Sequence, residues 1–135
     1  MAYSAYLKLD GIEGDVKTAG HVREINVLGY SFGTDRGPSI GHAGGGGGTG
    51  KVIFNDLGIS KKLDCATQKL FTACATGEKI ATGKLSVEKP AGGPLVSYDL
   101  TDIIVSHVSS DGGDDPVESV TLNFGTVAVK YTKEQ

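Results

Sequence analysis

Gly41-His42-Ala43-Gly44-Gly45-Gly46-Gly47-Gly48-Thr49-Gly50-Lys51-Val52-Ile53-Phe54 divides the chain, and its reading decides the fold. From Gly45 the spacing is G-x-x-x-x-G-K, one residue short of a phosphate-binding loop. That loop needs a Ser or Thr after the lysine to ligate magnesium, and a helix whose N-terminal amides receive the phosphates. Here Val52 follows the lysine, and Val52-Ile53-Phe54-Asn55-Asp56-Leu57-Gly58-Ile59 is rich in β-branched and aromatic residues. Such a run reads as a strand, so no helix N-terminus faces the glycines. The glycine run then belongs to a long loop over residues 34–50, in which backbone can pass close to backbone or reach toward another subunit. The chain on either side of it reads as two sets of β-strands.

On the N-terminal side, Tyr3, Ala5, Leu7 and Leu9 alternate with Ser4, Tyr6 and Lys8, a strand with one drier face. Gly11 to Gly20 is a polar, turn-rich connection. Glu24 to Gly33 is the next strand segment, with Ile25 and Val27 in one phase and Leu28, Tyr30 and Phe32 in the other. That change of phase beside Gly29 predicts a bulge or bend, or a strand covered on both sides. Within it, Gly29-Tyr30-Ser31-Phe32-Gly33 fits the G-x-S-x-G elbow of serine hydrolases, and Asp residues and His107 follow in the order such a triad needs. The elbow must turn from a strand directly into a helix, whereas Thr34-Asp35-Arg36-Gly37-Pro38-Ser39 has a loop composition. No βαβ alternation is present to hold such a site. Alternation instead turns Tyr30 and Phe32 to the core and leaves Gly29, Ser31 and Gly33 as a strip of small groups on the other face.

On the C-terminal side, Leu63, Ala66, Leu70, Ala73 and Cys74 recur at helical spacing, predicting one short helix over about residues 64–76. Asp64 or Thr67 serves as its N-cap and Gly77 as its stop. Strands resume at Lys79 to Glu88 and at Val96 to Val108, joined by the turn Lys89-Pro90-Ala91-Gly92-Gly93-Pro94. Ile103-Ile104-Val105 is apolar in both phases, which fits core on one side and a neighbour on the other. Ser109 to Pro116 is acidic but lacks the spacing and closing glutamate of a calcium loop, and reads as a solvated hairpin tip. From Val117 to Tyr131, Val120, Leu122 and Phe124 share one phase and Val127, Val129 and Tyr131 the other. The slip at Gly125-Thr126 predicts a bulge or sharp bend that lets one long strand serve both halves of the fold. The fold class is therefore mainly β: a compact antiparallel β-barrel of two packed sheets, six to eight strands in all, with one short helix.

Composition sets bounds on function. The chain has 135 residues, enough for one domain with a core that needs no disulfide staples. Its 21 glycines are about twice the usual share of roughly 7%, against only 4 prolines, which suits many strands and tight turns. The net charge of −3 comes with no lysine or arginine cluster, so nucleic acid and membrane surfaces find no electrostatic footprint. Met1 to Lys8 lacks the basic and apolar runs of a signal peptide, and no apolar run is long enough to span a membrane. That predicts synthesis and folding in the cytoplasm, and any export by a route without a standard leader.

The residues that bear chemistry are scattered. Cys65 and Cys74 fall on opposite faces of the expected helix, about 13 Å apart along its axis, so they do not pair. His21, His42 and His107 lack metal-ligand spacing, and the carboxylates are spread over loops. The residues therefore predict no catalytic, metal-binding or cofactor-binding set.

The residues do carry a family likeness. Ala5-Tyr6-Leu7-Lys8-Leu9-Asp10-Gly11-Ile12-Glu13-Gly14, Ile25-Asn26-Val27-Leu28-Gly29-Tyr30-Ser31-Phe32-Gly33 and the glycine run into Val52 come first. Lys61-Lys62-Leu63-Asp64, Ala73-Cys74, Val105-Ser106-His107-Val108-Ser109-Ser110 and Glu118-Ser119-Val120-Thr121-Leu122-Asn123-Phe124-Gly125-Thr126-Val127 follow in the same order. Together they resemble the Hcp proteins, the haemolysin-coregulated proteins that form the inner tube of the bacterial type VI secretion system. Similar proteins often carry proline at the helix start, where this chain has Gln68, and a tryptophan in the aromatic pair, where it has Tyr30 and Phe32.

The resemblance implies a structural protein and not an enzyme: a single Hcp-like β-barrel domain over residues 1–135 without a C-terminal effector extension. Such a protomer closes head to tail into a homohexamer whose rings stack into a tube. Its partners are itself, the spike, the contractile sheath and baseplate, and small effector proteins held in the lumen; neither nucleic acid nor membrane insertion is implied. Made in the bacterial cytoplasm, it leaves through the machine without a signal peptide. Gly29, Ser31 and Gly33 would face the lumen. Arg36, Ser39, His42, Gly45, Gly47 and Thr49 would lie in a loop reaching the next subunit or ring, and Ile103, Ile104 and Val105 in a strand at the subunit interface. A tail-tube protein of a phage or other contractile injection machine would share the barrel, the ring and the missing active site. A small serine hydrolase built on Ser31 is the enzyme alternative.

Overall fold

The computed structural model describes residues 3–36 and 52–132. They form β1 (Ser4–Leu9), β2 (Ile25–Val27), β3 (Gly29–Arg36), β4 (Val52–Lys62), α1 (Thr67–Thr76), β5 (Lys79–Glu88), β6 (Pro94–Asp111), β7 (Val117–Asn123) and β8 (Thr126–Tyr131). All pairings are antiparallel, in the order β2-β1-β5-β6-β7-β4-β3, with β8 paired to β6 off this path. The mainly β architecture with one helix follows the sequence reading. The expected division into two packed sheets does not, because all eight strands belong to one sheet.

The reason lies in β6. This strand has 18 residues, and along one edge Pro94–Ile104 pair with β5; along the other, Val96–Thr101 pair with β8 and Ile104–Asp111 with β7. One strand thus carries the hydrogen-bond ladder through both halves of the fold. The sequence reading assigned this role to the segment from Val117 to Tyr131, and that assignment is corrected. The segment breaks into β7 and β8 at Phe124-Gly125, where Gly125 N–H donates to Thr101 O at 2.9 Å beside Asp102, whose φ is 55°.

The sheet curls until its ends meet. β2 lies against β4, and Leu28 N–H donates to Ser60 O at 2.8 Å, but no ladder runs between those strands. The barrel is therefore not closed. The phase change beside Gly29 explains the seam: Leu28 separates β2, which pairs with β1, from β3, which pairs with β4.

Period-two alternation places the core as expected. Leu7, Leu9, Ile25, Val27, Leu57, Ile59, Leu85, Val87, Leu100, Ile103, Val105, Val120 and Leu122 form one buried cluster, joined by Leu70 and Ala73 of α1. Phe32, Tyr98 and Phe124 pack ring on ring beside it, with Phe32 4.5 Å from Tyr98 and 6.1 Å from Phe124 between centroids.

The helix starts later than its apolar spacing suggests. Asp64 Oδ1 accepts the Ala66 N–H at 2.9 Å and also meets Lys61 Nζ at 2.9 Å, so residues 64–66 form a turn ahead of it. Cys65 consequently lies outside the helix. Gly77 ends it as expected, in the left-handed region at φ 71°, with its N–H on Ala73 O at 2.9 Å.

Glycine also sets the spacing between sheet and core at Gly83. A Cβ there would lie 2.8 Å from Ile103 Cδ1 and 2.9 Å from Leu9 Cδ2. Gly83→Ala is expected to lower unfolding stability by about 1–3 kcal/mol, the usual cost of overpacking. Gly112, whose added Cβ would meet nothing within 4 Å, should accept alanine with a change within about 0.5 kcal/mol. Urea unfolding of both variants at one protomer concentration measures the difference.

Candidate functional site

The strip anticipated around Ser31 is part of a broader surface. Leu57 and Ile59 of β4 and Val120 and Leu122 of β7 are buried in the core, Phe32 of β3 packs against it, and cross-strand register aligns the residues between them in rows on the outer face. Gly29 lies opposite Ser60, which lies opposite Ser119; Ser31 lies opposite Gly58, which lies opposite Thr121; Gly33 lies opposite Asp56, which lies opposite Asn123. β6 extends all three rows, with Ser109 beside Ser119, His107 beside Thr121 and Ile104 beside Asn123.

The glycines are spaced by what sits next to them. A Cβ on Gly29 would touch Ser60 Oγ at 3.4 Å, and one on Gly58 would touch Ser31 Oγ at 3.6 Å. The Asp56 carboxylate lies over Gly33, its Oδ1 2.0 Å from where a Cβ would stand. The result is a flat face of small polar groups with a shallow trough of about 340 Å³ along Ser31, Gly58, Ser60, Ser119 and Thr121. Ser31 and Ser119 are exposed. Tyr30 does not enter the core as alternation predicts but stays more than a third exposed; partial burial and the adjacent Tyr98 hydroxyl raise its phenol above the usual value.

This face is not built like a hydrolase site. β3 runs on through Arg36 as a strand, so Ser31 has no helix behind it. His107 shares its row but lies three strands away, about 14 Å at ordinary strand spacing. His21 is engaged elsewhere, with Nδ1 2.9 Å from Glu24 Oε1 and Nε2 facing Glu88 Oε2. Among the described residues no three His, Cys, Asp or Glu side chains are grouped to hold a metal ion. Cys65 is exposed and donates to Glu13 O at 3.4 Å; the nearby Asp15 carboxylate raises its thiol, which disfavours the reactive thiolate. Cys74 is half-buried against the core, as its helical phase predicts.

The other expected site residues separate. Ile103 and Val105 point into this chain's own core and only Ile104 is exposed, so any neighbour would meet Ile104 with the other two beneath it. The Arg36 backbone pairs with Val52 at the end of β3. Ser39, His42, Gly45, Gly47 and Thr49 lie outside the described residues.

The geometry can now be set beside known proteins. The family described as "Type VI secretion system effector, Hcp" matches residues 6–131. The chain belongs to the Hcp family. It is 38% identical to protein hcp1 of Pseudomonas aeruginosa over 141 aligned positions, covering all of this chain and 86% of that protein. The crystal structure of Hcp1 from Salmonella typhimurium superposes with a TM-score of 0.85 at 32% identity, over 97% of this chain and 87% of that one. A type VI secretion system effector from Yersinia pestis shares the fold, with a TM-score of 0.81 at 23% identity over 96% and 91% of the two chains. This Hcp chain therefore carries the family fold along its described length; of the stretches that resembled the family, Ala5 to Leu9, Ile25 to Val27, Gly29 to Gly33, Lys61-Lys62, Val105 to Ser110 and Glu118 to Asn123 lie on strands, and Ala73-Cys74 on α1.

Sequence reasoning passed over one group that helps hold this framework. Lys61 and Glu118 are both fully buried, Nζ to Oε1 2.6 Å, where β4 pairs with β7. Lys61 also holds Asp64 at the turn before α1, while Glu118 Oε2 is buried without a hydrogen-bond partner. The signal was present: Lys61 is in phase with Leu57 and Ile59, and Glu118 with Val120 and Leu122. A charge in the core phase of two facing strands marks a buried pair. Removing one partner leaves the other charge uncompensated. Lys61→Met is expected to cost about 3–5 kcal/mol in urea unfolding, and adding Glu118→Leu should restore most of it.

Proposed function

We propose that this Hcp protein is the repeating unit of the inner tube of a type VI secretion machine. Protomers close head to tail into a homohexameric ring, rings stack inside the contractile sheath on the baseplate, and the tube leaves with the spike. Export through the machine requires no signal peptide. The lumen carries small effector proteins.

The observation that carries this reading is the flat β3-β4-β7 face of Gly29, Ser31, Gly58, Ser60, Ser119 and Thr121. A tube wall must be smooth, hydrated and free of large apolar groups if cargo is to be held and released, and this face has those properties without the spacing of a catalytic site. Family membership supports the rest. A head-to-tail ring needs two different complementary surfaces on one chain. Exposed Ile104 on β6, and exposed Val129 and Tyr131 on β8, are apolar groups on separate strands that suit such contacts. Arg36 and the loop after it, with Ser39, His42, Gly45, Gly47 and Thr49, provide reach toward the adjoining ring. Gly29, Ser31 and Gly33 face the lumen.

Placement of the face is tested through Ser31. Ser31→Trp adds bulk to an exposed position on a sheet face and is expected to leave rings intact while lowering retention of a co-expressed effector several-fold. Size-exclusion chromatography reads ring assembly and co-purification reads cargo. Intact rings with unchanged retention would count against a lumenal Ser31. Loss of rings would place this face in a subunit contact instead.

A further inference from the structure

The outer face of β1 is covered, unlike that of β3-β4-β7. The connection between Asp10 and Glu24 folds back over it, and His21 lies on Tyr6 with ring centroids 4.2 Å apart and planes within 14° of parallel. From that position the imidazole reaches two carboxylates on different elements: Nδ1 is 2.9 Å from Glu24 Oε1, and Nε2 bonds Glu88 Oε2 at the end of β5. A neutral imidazole has one N–H donor and one acceptor, and ionised carboxylates only accept. Only the imidazolium can satisfy both contacts. Deprotonation leaves one nitrogen lone pair facing a carboxylate.

Little else ties the middle of this connection to the sheet. Ile12 and Ile25 anchor its ends in the core. Between them, Gly14 N–H to Arg23 O at 2.8 Å, Arg23 N–H to Val16 O at 2.7 Å and Val16 N–H to Glu24 O at 3.1 Å bind the connection to itself. The Arg23–Glu13 pair is exposed and long at 3.4 Å, and the ties to the turn before α1 are long as well: Cys65 N–H to Asp15 Oδ2 at 3.3 Å and Cys65 Sγ to Glu13 O at 3.4 Å.

We propose that His21 is a proton-dependent clip that holds the 13–24 connection onto β1 and β5, and that removing its proton releases the connection while the sheet stays folded. The groups facing the ring are Tyr6 from β1, Glu24 from the connection and Glu88 from β5; Lys84 and Lys130 line the adjoining trough from β5 and β8. Burial alone would lower the His21 value, but the bonds from Glu88 and Glu24 and their negative charge outweigh it, leaving the group above its usual 6.5. A histidine raised on folding gives its full stabilisation below the unfolded value and loses it as pH rises through the folded one. The clip is therefore closed in mildly acidic solution and opens as pH rises above about 6.5 through the raised value.

Hydrogen–deuterium exchange of the 135-residue chain tests this, with amide rates corrected for their intrinsic pH dependence. Exchange at the imidazole carbon gives the titration midpoint of His21 in the same samples, and that midpoint should lie above the usual 6.5. Protection of peptides covering 13–24 should fall through that midpoint, by about tenfold for each pH unit between the ordinary and raised values, while β5 peptides over 79–88 stay protected. His21→Gln should give a low, pH-independent protection in 13–24, and Glu88→Gln should move the wild-type transition to lower pH. Constant wild-type protection of 13–24 across the His21 titration, or loss of β5 protection in parallel with it, would overturn the proposal. If either variant fails to fold, the wild-type profile alone decides.

Discussion

Almost all of this fold depends on the hydrogen-bond ladders along β6. An antiparallel sheet that curls on itself must pass from one half to the other, and separate strands usually divide that task. Here one strand of 18 residues makes the passage, with β5 on one edge and β8 and then β7 on the other. Its side chains follow: Leu100, Ile103 and Val105 enter the core, and Ile104 faces out. The local irregularities have the same origin, since Asp102 adopts φ 55° and Gly125 turns against it where the partner strand changes from β7 to β8. Were the first part of β6 lost, β8 would lose the ladder it makes with Val96–Thr101.

The second constraint is electrostatic and sits at the far end of the sheet. Lys61 joins three elements through two carboxylates: Glu118 on β7 and Asp64 before α1. Apolar side chains of similar volume could fill that space more easily, so the pair is weak evidence for stability as such. What it adds is register and direction. A one-residue slip of β4 against β7 would pull the buried lysine and glutamate away from each other, and the Asp64 contact sets where the turn before α1 must lie.

Much of this was legible in the sequence, and the features that were not share a cause. Period-two alternation located the strands, Val52 after Lys51 removed the phosphate-loop reading, and Gly77 marked the end of α1. Those features depend on neighbours in the chain. The role of β6, the single sheet and the open seam between β2 and β4 depend on partners far away in sequence, and no local pattern distinguishes a long strand that pairs twice from two packed sheets. Lys61 and Glu118 carried a readable signal in their phase. The helix start was misplaced because Leu63 and Ala66 keep helical spacing, while the Asp64 side chain captures the Ala66 amide and delays the first turn. For the candidate site, Gly29, Ser31 and Gly33 came directly from alternation on one strand; Gly58, Ser60, Ser119 and Thr121 needed the register between strands.

The two outer faces of the sheet thus have different characters. Over β1 the chain covers itself, with His21 clasped between carboxylates above Tyr6. Over β3, β4 and β7 it leaves a bare surface of glycines and hydroxyls, a surface suited to line a passage more than to perform a reaction. The central claim is that such protomers form a ring around that passage. Its most direct test is the solution mass of the purified chain by light scattering, with negative-stain images of the same peak. A particle of about six times the 13.9 kDa protomer, appearing as rings with an open centre, is the predicted result. A monomer that persists at high concentration would contradict it.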